Sequence, residues 1–285
     1  SLVCSLWRLL LAGRIESSRL YTYSSLADWK KKLENYGLTT TSRLELRKIL
    51  EPKILLSKAY EWRIDPEETR GCKQNRCSLK WELVLAAGDV YILEKKFIDE
   101  YWLEALPKLF DEFQTLLRDA LDLRQELGKD VEYNDNSYIY MPSISPHSQN
   151  MHFQNWVVLI ELVRDSWMEI NNNDPERAMH IARCWFRLPY EVFKRLALFA
   201  ASKNTRITSE EWVDWLLSDN SHCLWSSNTK RETMRLLVLQ GKNLSPKAKE
   251  KIEAKILLGP PEADTDNSRQ EFRVWIYLAK LCDGG

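Results

Sequence analysis

Apolar side chains in the second half of the chain recur with the period of an α-helix, and this pattern constrains the fold more than any other feature. The first stripe consists of Trp156, Leu159, Ile160, Val163, Trp167 and Ile170. Further stripes follow, and sequences that stop helices separate them, among them Asn171-Asn172-Asn173, Pro189, Gly241 and Gly259-Pro260. Because residues three and four apart share one face of a helix, we predict a series of amphipathic helices joined by short loops.

Several predicted helices begin with recognisable capping residues. Asp174-Pro175 combines an N-cap side chain with a proline in the first turn. Thr229 and Glu232 have the spacing of a capping box. The helices group into three pairs, 151–187, 189–218 and 229–258. Helix pairs of this length predict HEAT-like stacking, and a compact irregular bundle is the alternative.

The first half is also rich in helix signals, such as an apolar stripe from Leu106 to Leu121. The sequence then becomes irregular, with tyrosines, asparagines and prolines in place of a periodic pattern. We therefore predict three regions: an N-terminal helical region at 1–130, an irregular connecting loop at 131–150, and a HEAT-like helical-repeat region at 151–285.

The predicted fold class is all-α, with a helical bundle followed by HEAT-like stacked helix pairs. Only 9 of the 285 residues are glycine, whereas an average chain has about 7%. Turns and bulges that need glycine are therefore scarce, as in a helical chain. The run from Asp89 to Leu93 has residue types typical of a strand. Because it stands alone in a helical context, we favour a helix there.

Charge and apolar length restrict the partners. The chain has 41 Lys and Arg against 41 Asp and Glu, so no excess positive charge favours nucleic acid as its main partner. No apolar run approaches the roughly 20 residues that a membrane-spanning helix needs. Six scattered cysteines in a chain of this size indicate a reducing, cytoplasmic environment. The chain starts at Ser1 without a methionine, and we expect it to be a piece of a larger protein.

The sequence contains no recognisable catalytic or cofactor-binding motif. Its glycines form neither a P-loop nor a dinucleotide-binding fingerprint, and the nucleophile elbow and the zinc motif H-E-x-x-H are missing as well. We therefore predict no catalytic residues, no cofactor and no metal ligands.

One enzymatic alternative involves Asp89, Glu94 and Lys96. A metal-dependent nuclease places two carboxylates on a metal ion and a lysine beside the attacking water. Here the two carboxylates are only five residues apart, which is too close for the usual hairpin between them, and on a helix the three side chains point in different directions. Solvent-exposed helix charges are the simpler interpretation. A strand in this segment would favour the nuclease.

Two histidine–cysteine pairs are weaker candidates. His180 and Cys184 share one helix face, but two ligands do not make a metal site. We expect a histidine at the edge of the core and a buried thiol. His222 and Cys223 are sequence neighbours, whose side chains seldom converge as a catalytic pair must.

The most unusual local sequence is the loop from Pro142 to Asn150. It has little charge, two prolines that stiffen it, and several side chains that form hydrogen bonds. The candidate residues are Pro146, His147, Gln149 and Asn150. In one interpretation Gln149 and Asn150 cap the helix that carries Trp156. In the other, the loop is rigid and docks on a neighbouring domain or a partner.

A family resemblance involves this loop and the helices after it. The order of the motif P-S-I-x-P-H-x-Q-N, a helix ending near Arg164-Asp165, the Asp174-Pro175 helix and the segment 193–198 resembles the helical regions of very large bacterial anti-phage proteins. The resemblance covers about residues 135–260 and contains no catalytic motif. In that family such arrays lie beyond an N-terminal effector, SIR2-like or a nuclease, often with a STAND-type ATPase between. The resemblance implies a scaffold, or a sensor of a phage protein.

From these observations we expect a non-catalytic helical interaction, sensor or scaffold module of an antiviral defence protein. Its expected partner is a protein or a neighbouring domain of the same parent chain, with neither a membrane nor nucleic acid as the main partner. The alternatives are a small metal-dependent nuclease and a purely structural spacer.

Overall fold

The structure is a computed structural model that describes residues 2–16, 25–58, 79–86, 99–128, 136–150, 154–261 and 267–284. Within these residues 73% of the chain is helical, and one small three-stranded sheet is present. The predicted predominance of helix is confirmed, and the sheet is a small addition to it. No helix in the described ranges is long and apolar enough to cross a membrane.

The chain divides into two compact units. The first comprises Ser1–Ala105, Asp111–Asp130 and Gln154–Val158, and the second comprises Leu106–Phe110, Val131–Phe153 and Leu159–Gly285. The irregular segment 131–150 therefore belongs to the second unit, together with most of the helices that follow it.

The first unit contains helices and the sheet. Its elements are α1 (Leu2–Leu11), β1 (Ile15–Glu16), α2 (Ser25–Tyr36), α3 (Thr40–Ile49), β2 (Pro52–Lys58), β3 (Leu79–Leu85), α4 (Glu100–Ala105) and most of α5 (Phe110–Leu127). Strand β2 pairs in parallel with β1 and antiparallel with β3, with Ile54 opposite Leu83. Directly opposed residues of neighbouring strands lie on the same face of the sheet. The side chains of Ile54 and Leu83 are both buried, so this face belongs to the core. The segment from Asp89 to Leu93 lies outside the described residues.

Aromatic side chains fill the core of the first unit. Trp29 contacts Trp102 edge to face, with ring centroids 6.1 Å apart, and Trp102 lies 6.2 Å from Phe113. The indole Nε1–H of Trp29 donates to the carbonyl of Ser42 at 2.6 Å. This bond satisfies the polar atom of a side chain that is otherwise buried, and it ties α2 to α3.

The second unit is a succession of helices. They are α6 (Ser137–Tyr140), the part of α7 (Val158–Asn173) after Val158, α8 (Pro175–Phe186), α9 (Glu191–Ala201), α10 (Ser209–Trp225), α11 (Lys230–Gln240), α12 (Pro246–Leu257) and α13 (Asn267–Gly284). Helix α9 packs against α8 and α11, α11 packs against α13, and α10 packs against α12. From α9 to α13, each helix thus contacts the helix two positions further along the chain.

The predicted apolar face of α7 is buried. Ile160, Val163 and Trp167 of α7 are fully inaccessible to solvent, as is Trp156 in the helical turn just before it, so this prediction is confirmed. The ring centroid of Trp167 lies 6.1 Å from those of both Trp185 and Phe199. The Nε1–H group of Trp167 donates to the carbonyl of Ala178 at 3.0 Å. One indole thus joins α7, α8 and α9.

The capping predictions have different outcomes. Asp174 accepts the backbone N–H of Arg177 at 3.0 Å, so the predicted start of α8 is confirmed. The predicted capping box of Thr229 and Glu232 is wrong. Thr229 forms no side-chain cap, and its hydroxyl donates to the carbonyl of Cys223 at 2.7 Å. Glu232 is directed into the core instead.

Candidate docking loop

The loop from Pro142 to Asn150, named the docking loop here, combines a buried base with an exposed tip. At its base Ser143, Ile144 and Ser145 are buried. At its tip the four residues from Pro146 to Gln149 are exposed. The sequence predicted this segment as a candidate site, and the structure shows which part of it faces solvent.

Asn150 closes the loop on itself. Its side-chain oxygen accepts the backbone N–H of Ser143 at 3.2 Å, and its side-chain nitrogen donates to the carbonyl of Ser143 at 2.9 Å and to that of Ser145 at 3.4 Å. These bonds satisfy backbone groups at the base of the loop. They do not reach the helical turn that begins at Asn155, whose N-cap residue Gln154 forms no side-chain bond. Asn150 therefore caps the loop and not the following helix.

A buried ion pair lies beneath the loop. Arg195 of α9 and Glu232 of α11 have side chains that are only 1% and 2% exposed. The guanidinium donates to the carboxylate through Nε at 3.2 Å and through a terminal nitrogen at 3.3 Å. The carboxylate also accepts the backbone N–H of Ile144 at 2.7 Å. The charge on each group is compensated, as burial of charges requires.

The remaining donors of the ion pair hold the chain just before the loop. Arg195 donates to the carbonyl of Met141 at 2.6 Å and to the hydroxyl of Ser137 at 3.1 Å. Arg164 of α7 donates to the carbonyl of Ile144 at 3.0 Å. Side chains from α7 and α11 thus fix the backbone of the loop base, and Arg195 of α9 fixes the chain that leads into it.

The surroundings of Arg164 keep its guanidinium positively charged. Burial alone would lower the pKa of its guanidinium, but the carboxylates of Asp165 and Glu161 outweigh this and raise the pKa above its ordinary value. Asp165 accepts from Nε at 2.7 Å. Arg164 therefore remains a permanent donor to the loop.

The tip of the loop contacts the first turn of α11. Gln149 accepts a hydrogen bond from the guanidinium of Arg231, and the Nε2 atom of His147 lies 3.4 Å from the same guanidinium. The backbone N–H of Gln149 donates to Nδ1 of His147 at 3.1 Å. All three side chains are exposed. The tip therefore lies against the first turn of α11 while its polar groups stay accessible.

The other candidates from the sequence do not form a site in the described residues. Asp89, Glu94 and Lys96 lie outside them. Across those parts of the chain that the structure describes, no group of three His, Cys, Asp or Glu side chains could hold a metal ion.

In each of the two histidine–cysteine pairs the histidine lies beside a glutamate. Cys184 is exposed, which corrects the expectation of a buried thiol, and His180 lies beside Glu176. His222 lies 3.2 Å from Glu191. Cys223 is buried, and burial raises the pKa of its thiol to about 12. A thiol in this state is not a nucleophile at neutral pH.

The sequence did not identify Arg195 and Glu232 as members of the site. Arg195 follows Val192 and Phe193 and precedes Leu196 and Ala197 in an otherwise apolar stripe. A charged residue inside such a stripe requires a buried partner. The position of Arg195 in the stripe was therefore the sequence signal for a buried ion pair.

Comparisons with protein-family models, with curated proteins and with solved structures find no match to this chain. Its function therefore has to be inferred from its own residues.

Proposed function

We propose that the chain is a non-catalytic protein-interaction module that presents the docking loop to a protein partner or to a neighbouring domain of its parent protein. The observation that carries this proposal is the contrast between the base and the tip of the loop. The base is buried and bonded to α7 and α11, and the residue just before the loop is bonded to α9, whereas the tip is exposed. A segment fixed this firmly and still accessible is suited to recognition.

Rigidity of the tip favours binding for an energetic reason. Ordering a flexible side chain at an interface costs about 0.5–1.5 kcal/mol. Here the bonds of Asn150, Arg164, Arg195 and Glu232 order the loop during folding. A partner that binds the tip therefore does not have to supply the cost of ordering its backbone.

The helix packing supports an extended arrangement for the second unit. In HEAT-like arrays each helix contacts the equivalent helix of the next pair. Contacts of α9 with α11, of α11 with α13 and of α10 with α12 have this periodicity. The docking loop and the residue before it are hydrogen-bonded to α7, α9 and α11, which would be the same layer of such an array.

The biological setting belongs to the same proposal. The resemblance of residues 135–260 to helical regions of large anti-phage proteins favours a sensor or scaffold in antiviral defence. In such a protein the module would bind a phage protein or a domain of its own chain, and catalysis would reside in other domains.

The test compares partner capture by the wild-type chain with capture by a loop-tip variant, Pro146→Gly with His147→Ala and Gln149→Ala. Lysate of phage-infected cells is passed over each protein, and bound proteins are quantified by mass spectrometry. We expect a protein that the wild type captures and the loop-tip variant loses. Lys203→Ala provides a control in the same unit, because Lys203 is exposed on the turn after α9.

Two outcomes contradict the proposal. Equal capture by the wild type and the loop-tip variant would favour the structural spacer. Metal-dependent DNA cleavage by the purified chain, lost in Glu94→Ala, would favour the nuclease.

A further inference from the structure

Within the described part of the chain, the contacts of His147 leave a hydrogen-bond donor without an acceptor. The N–H of Gln149 is directed at Nδ1, so a neutral imidazole must carry its proton on Nε2. The Nε2–H group then faces the guanidinium of Arg231 at 3.4 Å, and both groups are donors. The other tautomer accepts from Arg231 but turns Nδ1–H towards the N–H of Gln149. In either tautomer two donors face each other.

The charge of Arg231 is also uncompensated. Within the described residues no carboxylate lies within 4.0 Å of its guanidinium, nor of Lys230 or Arg235. Arg235 follows Arg231 by one helical turn, and its Nε atom is buried with no hydrogen-bond partner among the residues that the structure describes. Three cationic side chains within six residues of α11 therefore have no carboxylate within 4.0 Å among the described residues.

The position of these residues in the helix strengthens the local positive field. Lys230 and Arg231 lie in the first turn of α11, where the helix dipole is positive, although basic side chains are stabilising at the other end. The acidic residue of that turn, Glu232, is directed inwards and neutralised by Arg195. Thr229 supplies no side-chain cap to the free N–H groups.

We infer that His147, Arg231 and Arg235 form a recognition site for carboxylates of an acidic segment in the protein partner. A carboxylate offers two acceptor oxygens, which can bridge the facing donors of His147 and Arg231. This inference rests on the proposed function, because it assigns a partner chemistry to the docking loop.

A nearby apolar side chain favours a protein segment over a free anion. Leu239 is 38% exposed and follows Arg231 and Arg235 at intervals of four residues. The three side chains therefore lie along one face of α11. An acidic segment that also carries an apolar side chain would contact all of them, whereas inorganic phosphate would contact only the basic ones.

The experiment uses fluorescein-labelled octaglutamate as the probe and octaglutamine as its uncharged match. Fluorescence anisotropy measures binding to the full chain at low ionic strength. We expect octaglutamate to bind and octaglutamine not to bind. Arg231→Gln should weaken octaglutamate binding about tenfold, consistent with the loss of a charge-assisted hydrogen bond. His147→Ala should weaken it severalfold.

Arg177→Gln is the matched control, because Arg177 is exposed on α8 and this substitution removes the same charge as Arg231→Gln. It should change binding less than twofold. Equal losses in Arg177→Gln and Arg231→Gln would overturn the inference, since binding would then depend on net charge alone. Displacement of the probe by phosphate, but not by chloride at equal ionic strength, would also overturn it in favour of a phosphate site.

The inference and the proposed function can fail separately. If partner capture depends on the loop tip but is unchanged in Arg231→Gln, only the carboxylate site is refuted. If neither the loop-tip variant nor Arg231→Gln alters capture, the docking role itself is refuted. Far-UV circular dichroism and thermal unfolding of each variant show that a loss of binding does not arise from misfolding.

Discussion

Removing the charge of Glu232 should strongly destabilise the second unit. In Glu232→Gln the side chain keeps its shape and one acceptor oxygen, but Arg195 retains a positive charge that is 1% exposed. Breaking a buried ion pair by removing one partner costs about 3–5 kcal/mol, because the remaining charge stays buried without compensation. Ser137 and Met141 still accept from Arg195. We therefore expect the free energy of unfolding of the second unit to fall by an amount near the lower end of this range, about 3 kcal/mol.

A double-mutant cycle separates the ion pair from other effects of substitution. Arg195→Met replaces the guanidinium with an unbranched apolar side chain and leaves the carboxylate unpaired. The combined variant Arg195→Met with Glu232→Gln contains neither buried charge. Its loss of stability should be smaller than the sum of the single losses by about 0.5–3 kcal/mol, the range for residues in direct contact.

Urea unfolding followed by circular dichroism measures these differences. The chain has two compact units, so the relevant transition is the one that a core substitution of the second unit also shifts. Asp214→Asn is the control, because its pair with Lys251 is 61% and 51% exposed and such surface pairs contribute about 0–1 kcal/mol. A loss in Glu232→Gln no larger than in Asp214→Asn, or strict additivity in the cycle, would refute the assigned role of the buried pair.

Three other measurements test the packing and the loop. Trp167→Ala should lower the free energy of unfolding by about 3–5 kcal/mol, whereas Trp275→Ala, at a site that is 62% exposed, should cost less than about 1 kcal/mol; equal effects would contradict the assigned core. In the native protein at pH 8, Cys223→Ser should leave the number of rapidly reacting thiols unchanged, because burial raises the pKa of Cys223 to about 12, and Cys184→Ser should reduce that number by one. Asn150→Ala should destabilise the second unit by about 1–3 kcal/mol, since it leaves backbone groups at the loop base unsatisfied, and amide hydrogen exchange at Ser143 should accelerate; unchanged exchange would contradict the closure of the loop by Asn150.

Helices could be predicted from the sequence because their signals are local. The stripe containing Trp167 and the cap at Asp174 each lie within one or two turns, so the residues themselves determine the structure. The sheet could not be predicted in this way. Strand β2 is stabilised by β3, which begins more than twenty residues after β2 ends, and only that pairing makes the apolar residues of both strands into one buried face.

The candidate site shows the same limit. The composition of the docking loop marked it as unusual, and its prolines and hydrogen-bonding side chains could be read directly. Its partners could not, because Arg164, Arg195 and Glu232 come from three helices that are far apart in sequence. The contacts between Ile144 and these side chains span 20 and 88 residues. No spacing rule relates such positions.

Glu232 illustrates how tertiary structure overrides a local signal. Three residues after Thr229, a glutamate favours a capping box, which would contribute about 1 kcal/mol to α11. In the folded chain this carboxylate instead accepts from Arg195 and from the backbone of Ile144. A buried ion pair often contributes little net stability compared with apolar side chains of similar size. The physical consequence of the pair lies in its geometry, because it fixes the loop base against α9 and α11. It also removes the only acidic charge from the first turn of α11, and the positive field beside the loop tip depends on that removal.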